Sequence, residues 1–366
     1  MNVYKDISYL QMCYALAEKA IGWASPNPYV GAVIVKNGVI VGYGYHERPG
    51  KPHAEVVALA KAGSRAKKAT AYINLEPCVH WGRTPPCIDK IISNRLKRIV
   101  VSSIDPNPLV NGKGIERIKQ AGIQVSLGLL EEKNERLNEA YIKYIQSRIP
   151  FITLKTALSL DGKTATKTSA SKWISSSQTR KYMHLIRGEH DAIMVGINTI
   201  LKDDPRLTVR HPGWSGKTIT RVILDSKLRI PLQSKVITAL PKGEVVIFTL
   251  NTSPPEKKDA LQKKGVKVVP IPQKNNKVDI KRALAWLGKN QISSVLVEGG
   301  TELHTHMIES KTVDKMIISV SPILIGGKGA PCFYQGKGAE TIKQSLKLKK
   351  MNTLKIEDDI IIQGYL

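Results

Sequence analysis

Hydrophobic positions along the first part of the chain switch between two periods. Residues 5–21 space their apolar side chains three and four apart, which predicts an amphipathic helix. YVGAVIVK (29–36) and VIVGYGYH (39–46) flank Asn37-Gly38, a two-residue turn signal, and predict a hairpin. HAEVVALAKAG (53–63) reads as a helix closed by Gly63. TAYINL (70–75) is a short strand, and PPCIDKIISN (85–94) opens a helix with prolines at its mouth. RIVVSS (98–103) is a buried-type strand, GKGIERIKQAG (112–122) a helix and IQVSLG (123–128) a strand. LLEEKNERLNEAYIKYIQ (129–146) reads as one charged terminal helix. This order predicts a layered α/β sandwich with a mixed sheet.

SRIP (147–150) follows that helix and marks the boundary, giving expected domains of 1–147 and 148–366. A new strand, FITLKTALSLDG (151–162), begins at once. Further strand candidates lie at 191–195, 219–224, 245–249, 267–271, 292–297 and 315–320, with helical stretches between several of them. LKIEDDIIIQGYL (354–366) reads as a closing strand pair. The second segment is therefore another α/β domain, and no repeat relates the two halves.

Composition narrows the classes. With 42% hydrophobic and 23% charged residues the chain is that of an ordinary globular protein. No apolar run reaches the roughly 18 residues of a membrane span. The N-terminus carries acidic residues and lacks the basic-then-apolar order of a signal peptide, so the cytoplasm is the expected location. The four cysteines (Cys13, Cys78, Cys87, Cys332) are too sparse for a disulfide framework. The net charge of +26 attracts polyanions, but aromatics are only 5% and no nucleic-acid-binding signature is present. A basic surface that favours phosphorylated small substrates is the preferred reading, with no nucleic acid as partner.

The sharpest chemistry lies in His53-Ala54-Glu55, Glu76-Pro77-Cys78 and Cys87. One imidazole and two thiols, with Cys78 after a strand and Cys87 at a helix start, form a catalytic zinc pattern that leaves a fourth position for water. A helix N-terminus favours the thiolate that a metal binds. Zinc makes water acidic, and Glu55, free of ligand duty, carries its proton to the ring and the leaving amine. The general deaminase signature places two residues between its cysteines, whereas eight separate Cys78 and Cys87. Alternatives stay open: a satisfied histidine and buried small thiols, or a structural zinc with His80 as fourth ligand. Asn27 reads as a contact to a pyrimidine edge or as a turn residue. His46 ends the hairpin and faces the same pocket. His80 and Arg83 lie in the Cys–Cys insert, where Arg83 offers a phosphate fork or is simply solvated.

The second half has no G-x-G-x-x-G. It has VLVEGGTELH (295–304), a strand, a glycine pair and a helix start, whose amides suit a diphosphate or a tight turn. PILIGGKGAP (322–331) repeats the theme with Gly326-Gly327.

EPCVHWGRTPPC (76–87), ASPNPYVGAVIV (24–35) and DPNPLVNGKGI (105–115) resemble the deaminase half of the bacterial riboflavin-biosynthesis bifunctional deaminase/reductase family, long insert included. Val79 departs from that family's usual serine. TLKTALSLDGKTA (153–165), SKWISS (171–176), VGINTILKDDPRLTVR (195–210), RVILDS (221–226), VEGG and PILIGG resemble its reductase half. Matches run nearly the full length in order, and are sparsest over 235–290. The resemblance implies a cytidine-deaminase-like three-layer α/β/α domain with a mixed sheet, then a dihydrofolate-reductase-like α/β domain. It implies zinc, one per chain, on His53, Cys78 and Cys87, with proton transfer by Glu55. It implies NADPH along Ala157, Trp173, Thr199, Asp203, Ser226 and the 300–306 segment (Gly300, Thr301, Glu302, Leu303, His304, Thr305, His306). Substrate contacts fall on Ser171, Arg187, Leu207, Arg210 and Glu298. On physical grounds Lys155 joins them, Arg187 and Arg210 supply charge for a ribose phosphate, and Trp173 is either a ring platform or a core indole.

The implied reaction removes the amine at position 2 of a phosphoribosylamino-diaminopyrimidinone, then reduces the ribosyl group to ribityl. The expected partner is that phosphorylated pyrimidine, in a homo-oligomer such as a dimer. Cytidine, guanine or tRNA-adenosine deaminases with an added domain are the other enzyme class. A zinc-stabilised binding module is the non-enzyme class.

Overall fold

The computed structural model describes residues 3–82, 85–238, 243–274 and 276–366. The chain divides into two compact units, Met1–Arg148 and Ile149–Leu366. Among the described residues no helix is long and apolar enough to cross a membrane.

The first unit runs α1 (Val3–Glu18), β1 (Gly31–Lys36), β2 (Val39–Tyr45), α2 (Ala54–Ala62), β3 (Thr70–Leu75), α3 (Cys87–Ser93), β4 (Arg98–Ser103), α4 (Lys113–Gln120), β5 (Gln124–Leu127), α5 (Glu131–Leu137) and α6 (Glu139–Ser147). Its sheet has the order β2-β1-β3-β4-β5. β1 is antiparallel to β2 and β3, while β3, β4 and β5 are parallel, so the sheet is mixed as expected. Asn37 and Gly38 both take positive φ (51° and 80°), the backbone a two-residue hairpin turn needs.

Strand alternation builds three layers. Ile73, Leu75, Ile99 and Val101 point to one face and pack with Ala54, Ala58, Ile88 and Ile118 of the helices. Tyr72 and Val100 point to the other and pack on Leu10 and Cys13 of α1. Small residues on β2 let α2 lie directly upon it. A Cβ on Gly44 would sit 2.6 Å from Val57 Cβ and 2.9 Å from the Ala54 carbonyl.

The terminal helix is not continuous. It breaks at Asn138, whose φ/ψ of −107°/18° is not helical. The Asn138 side chain is committed elsewhere. The Tyr29 amide donates to its Oδ1 at 2.7 Å, and its Nδ2 donates to the Tyr29 carbonyl and to Asn134 Oδ1. Asn74 joins the same buried set, donating to Tyr29 O and Asn134 Oδ1 and accepting from the Gly31 amide. These three asparagines fix the chain entering β1, an irregular stretch with no ladder partner of its own.

The second unit contains β6 (Phe151–Ser159), α7 (Ser177–Gly188), β7 (Ala192–Gly196), α8 (Ile197–Asp203), β8 (Thr220–Leu224), α9 (Lys235–Thr238), β9 (Val245–Leu250), α10 (Pro255–Lys263) and β10 (Lys267–Ile271). It continues with β11 (Gln273–Lys274), β12 (Lys277–Val278), α11 (Ile280–Lys289), β13 (Ser294–Glu298), α12 (Thr301–Glu309), β14 (Lys315–Ser321), β15 (Lys349–Ile356) and β16 (Asp359–Tyr365). The large sheet has the order β10-β9-β8-β7-β13-β6-β14-β16-β15. It is parallel from β10 to β14 and closes with the antiparallel β15–β16 pair. Pro270 is tolerated because β10 is an edge strand. Alternate residues feed both faces: Met194, Phe248 and Val297 pack under α11 and α12, and Val195, Ile223 and Ile247 pack with Ile200 and Leu261.

Candidate functional site

In the first unit His53 is the N-cap residue of α2, with extended backbone, and Glu55 sits in the first turn. Cys87 is the first residue of α3, behind the N-cap Pro86. These ends bring His53 Nδ1 to 3.0 Å from Cys87 Sγ and 3.5 Å from Cys78 Sγ. The three ligating atoms lie within 4.8 Å of one another, and among the described residues no other such group occurs. His80, the conceivable fourth ligand, is not part of the cluster.

The helix N-terminus acts differently from the sequence expectation. The Cys87 amide donates to Cys78 Sγ at 3.4 Å, so the helix end serves the neighbouring sulfur. Without metal the hydrogen bond from Cys87, then His53, against the cost of burial, hold the Cys78 thiol down at about 4. The Cys87 thiol is pushed up by its bond to Cys78 and by burial.

Glu55 is 4% exposed, and its Oε2 is buried without a partner. Burial pushes its carboxyl up to about 7. His46 is also buried, and burial lowers its pKa, which keeps the ring neutral. It donates from Nδ1 to the Pro52 carbonyl at 3.3 Å and accepts at Nε2 from Asn27 Nδ2 at 2.9 Å. The His46 ring stands edge-on to His53, with centroids 5.0 Å apart. Asn27, His46 and His53 are therefore in one place. His80 is half-buried, with Nδ1 buried and unpartnered. Arg83 lies outside the described residues.

One soft imidazole, two thiols and a buried carboxylate oxygen awaiting a partner fit a zinc ion and its water. Sequence reasoning passed over what holds the cluster. Glu76, 3% exposed, accepts from the amides of Asp105, Gly112, Gly114 and Ile115. Asp105 accepts from Tyr141 Oη at 2.8 Å and from the Asn107 amide. The signal was present in the acidic residue before Pro77-Cys78, but its donors come from a remote loop.

The second unit contains a cleft of about 1230 Å³ at the carboxyl ends of β6, β7, β8 and β13. Eleven Lys and Arg side chains line it against four carboxylates, a charge balance that favours anions. Of the residues expected at the cofactor and sugar-phosphate contacts, all but two line this cleft. His304 and Thr305 do not, because α12 turns them away: His304 is fully buried beside Phe333, and Thr305 Oγ1 accepts from the Gln335 amide. Trp173 is no core indole. It is 68% exposed, with the Arg180 guanidinium 4.4 Å from its ring centroid.

Two further expectations change. Arg187 does not offer a free charge. Its Nε and Nη2 donate to Glu298, and its Nη1 donates to the Thr208 carbonyl at 2.7 Å. Burial would raise the Glu298 carboxyl, but the Arg187 and Lys155 charges outweigh it and hold it at about 2. Lys155 and Glu298 stand side by side on β6 and β13. The second glycine pair is a turn rather than a helix mouth. Gly326 and Gly327 take positive φ, and the Gly326 amide is spent on Asp161 Oδ2 at 2.7 Å. Gly300, in contrast, is the N-cap of α12 at the cleft wall, with open space where a Cβ would stand. Sequence reading also overlooked Arg206, Lys227 and Arg229, which add cations to the wall.

Residues 3–103 match the cytidine and deoxycytidylate deaminase zinc-binding region, and residues 150–362 match the RibD C-terminal domain. The riboflavin biosynthesis protein RibD of Aquifex aeolicus (strain VF5) is 43% identical over 357 residues, covering 98% of this chain and 97% of that protein. The chain belongs to the RibD family. The RibD of Escherichia coli (strain K12) is 39% identical over 333 residues, covering 88% of this chain and 89% of its own. The solved structure of Acinetobacter baumannii RibD (form 1) overlays with a TM-score of 0.89 at 35% identity, covering 100% of this chain and 99% of that one. That of a diaminohydroxyphosphoribosylaminopyrimidine deaminase/5-amino-6-(5-phosphoribosylamino)uracil reductase from Thermotoga maritima gives 0.85 at 32%, covering 99% of each chain. Both RibD halves are thus present in one chain, in the family's order.

Proposed function

We propose that this member of the RibD family catalyses two successive steps on one phosphorylated pyrimidine. The first converts 2,5-diamino-6-(5-phosphoribosylamino)pyrimidin-4(3H)-one to 5-amino-6-(5-phosphoribosylamino)uracil by hydrolytic deamination. The second reduces the ribosyl group of that product to ribityl. The observation that carries the reading is Glu55 Oε2, buried and unpartnered beside the His53, Cys78 and Cys87 cluster. A structural metal site has no use for such a carboxylate, whereas hydrolysis at the guanidine-type carbon C2 of the pyrimidinone needs one.

His53, Cys78 and Cys87 would hold one zinc, which when bound would supply an acidified water at neutral pH. Glu55 would serve two separate proton transfers: its carboxylate accepts one proton of the attacking water and gives it to the ring nitrogen as the C–O bond forms, then moves the second proton, from the new hydroxyl, to the amine as the C–N bond breaks and ammonia leaves. Asn27, fixed by its bond to neutral His46, presents its carbonyl oxygen to the pyrimidine edge. His80, half-buried with a free Nδ1, is a further candidate contact to the substrate.

The cleft of the second unit would hold NADPH, whose chemistry when bound is hydride donation to C1′ of the ring-opened sugar. Gly300 and the α12 N-terminus offer amides to its diphosphate, and Ala157, Thr199, Asp203 and Ser226 flank the same cleft. Trp173 keeps one ring face for a planar group. Lys155, with Ser171 and Leu207 nearby in the wall, orients the pyrimidine, and Arg210 attracts the phosphate. The Arg187–Glu298 pair holds the floor of the cleft in place.

The test follows ammonia release from the phosphoribosylamino-diaminopyrimidinone by zinc-loaded protein, first without NADPH and then with it. Ammonia first and NADPH oxidation second is the expected order. Ammonia with no later oxidation would remove the reductase reading. No ammonia from a zinc-loaded chain would remove the deaminase reading.

A further inference from the structure

Glu76 belongs to neither catalytic set, yet its carboxylate is the most heavily bonded acidic group near the metal cluster. Oε1 accepts from the amides of Gly114 (2.8 Å) and Ile115 (3.1 Å). Oε2 accepts from those of Gly112 (2.9 Å) and Asp105 (3.2 Å). All four donors come from the 105–115 loop and the first turn of α4. The Glu76 amide, for its part, donates to the Ser103 carbonyl at 2.9 Å. One residue later the contact becomes steric. A Cβ on Gly114 would lie 2.4 Å from the Pro77 carbonyl, so the α4 N-terminus abuts the peptide that leads into Cys78. From the other side the Ile88 amide donates to the Cys78 carbonyl at 3.3 Å, and the Cys87 amide to Cys78 Sγ.

The Glu76–Cys78 segment leaves the end of β3, and beyond the Glu76 amide bond to Ser103 of β4 it makes no ladder contact that sets its path. Four charge-assisted bonds at one end and two amides of α3 at the other determine where the Cys78 sulfur stands. From this geometry we infer that Glu76 is a positioning residue for the metal, clamping the 105–115 loop onto the Cys78 backbone so that its thiolate meets His53 and Cys87. The inference rests on the reading of those three residues as zinc ligands. It also accounts for the DPNPLVNGKGI motif, whose glycines and amides form the socket. Asp105 joins the socket through its backbone amide, and its side chain separately accepts from Tyr141 Oη at 2.8 Å. Outer-shell groups of this kind are typically worth about 10–100-fold in metal affinity.

The experiment uses the full chain and three variants, each titrated with zinc against a chelator and, separately, loaded with cobalt(II) to read the thiolate-to-metal charge-transfer band. Glu76→Gln keeps the size but turns an amide NH2 toward two backbone donors. Gly114→Ala leaves the carboxylate intact and pushes on the Pro77 carbonyl. Both are expected to weaken zinc about 10–100-fold and to alter the cobalt band, with helical circular dichroism retained. Should Glu76→Gln fail to fold, Gly114→Ala carries the test alone. Tyr141→Phe loosens the same region yet leaves all four donors on Glu76, so its melting temperature should drop while zinc affinity stays at the wild-type value. Wild-type affinity and cobalt spectrum in both Glu76→Gln and Gly114→Ala overturn the inference. So does an equal loss of affinity in Tyr141→Phe, which would reduce the effect to general loosening. A wild-type chain that binds no zinc removes the metal reading itself.

Discussion

Arg187 grips Glu298 in the cleft of the second unit, with Nη2 donating to both carboxylate oxygens at 3.1 and 2.9 Å and Nε to Oε1 at 3.2 Å. Both side chains are mostly buried. Removing one partner leaves the other's charge stranded, so Arg187→Ala is expected to cost about 3–5 kcal/mol of stability. Arg210 is exposed at the wall, and only its backbone amide is tied, to His184 Nδ1. Arg210→Ala should leave the melting temperature within a degree or two of wild type while raising KM for the phosphorylated substrate. Thermal melts and steady-state kinetics on the two variants separate these roles. Equal destabilisation by both would contradict the assignment.

The same pair sets an acid limit. Glu298 is held at about 2 against an ordinary 4.5. A carboxylate depressed in this way stabilises the fold fully above pH 4.5, and that contribution is lost as pH falls from 4.5 toward 2. Its size is about 3–4 kcal/mol, taking each pKa unit as about 1.4 kcal/mol. Denaturant midpoints measured from pH 6 to pH 3 should fall for wild type, and fall less for Glu298→Gln. Parallel curves would assign the acid loss to other groups.

Asp105 titrates with the opposite sign. Burial raises its carboxyl to about 6 from 3.8, despite bonds from the Asn107 amide and Tyr141. The folded chain then holds more protons than the unfolded one between those values, so stability declines as pH rises from about 4 to 6 and the cost persists above. It reaches about 3 kcal/mol at neutral pH. Asn at this position keeps an oxygen for both donors and carries no charge. Asp105→Asn is therefore expected to flatten the decline and to stabilise the first unit at pH 7.5, read from the pH dependence of unfolding.

Glu55→Gln should lower deamination about 10²–10⁴-fold, the usual contribution of a positioned general acid–base group. Zinc content should stay at one per chain, because Glu55 is not among the clustered ligating atoms. Metal analysis beside the ammonia assay decides this, and a zinc-free variant would give Glu55 a structural duty instead.

Local pattern and local chemistry made most of this molecule legible. The Asn37-Gly38 turn, the prolines before Cys87 and the alternation in β3 and β4 are short-range signals, and each element formed where those signals placed it. The ligand triad was legible because soft donors at strand and helix ends are rare enough to stand out. What stayed hidden depends on distant partners. Asn138 breaks a helix that its neighbours favour, because its side chain bonds the Tyr29 backbone 109 residues away. Glu76 looked like part of a motif, and only its donors 29 to 39 residues on reveal what it holds. Arg187 read as a phosphate ligand until Glu298, 111 residues further along, took its charge. The glycine pairs at 299–300 and 326–327 look alike in sequence, but the second takes positive φ and spends its Gly326 amide on Asp161, while Gly300 caps α12.

Metal removal gives the broadest test of two independent chemistries in one chain. The clustered ligands His53, Cys78 and Cys87 all belong to the first compact unit, whereas every residue lining the cationic cleft belongs to the second. A chelator strong enough to take zinc leaves the Cys78 thiolate with only Cys87 and His53 as partners. It touches nothing in the Arg187–Glu298 floor or the α12 N-terminus. Ammonia release should therefore fall to background, while NADPH oxidation on supplied 5-amino-6-(5-phosphoribosylamino)uracil continues at the untreated rate. Zinc added back should restore the first activity alone. Loss of both activities on gentle chelation would mean that the second site depends on the metal-loaded first unit, and the separation argued from residue placement would fail.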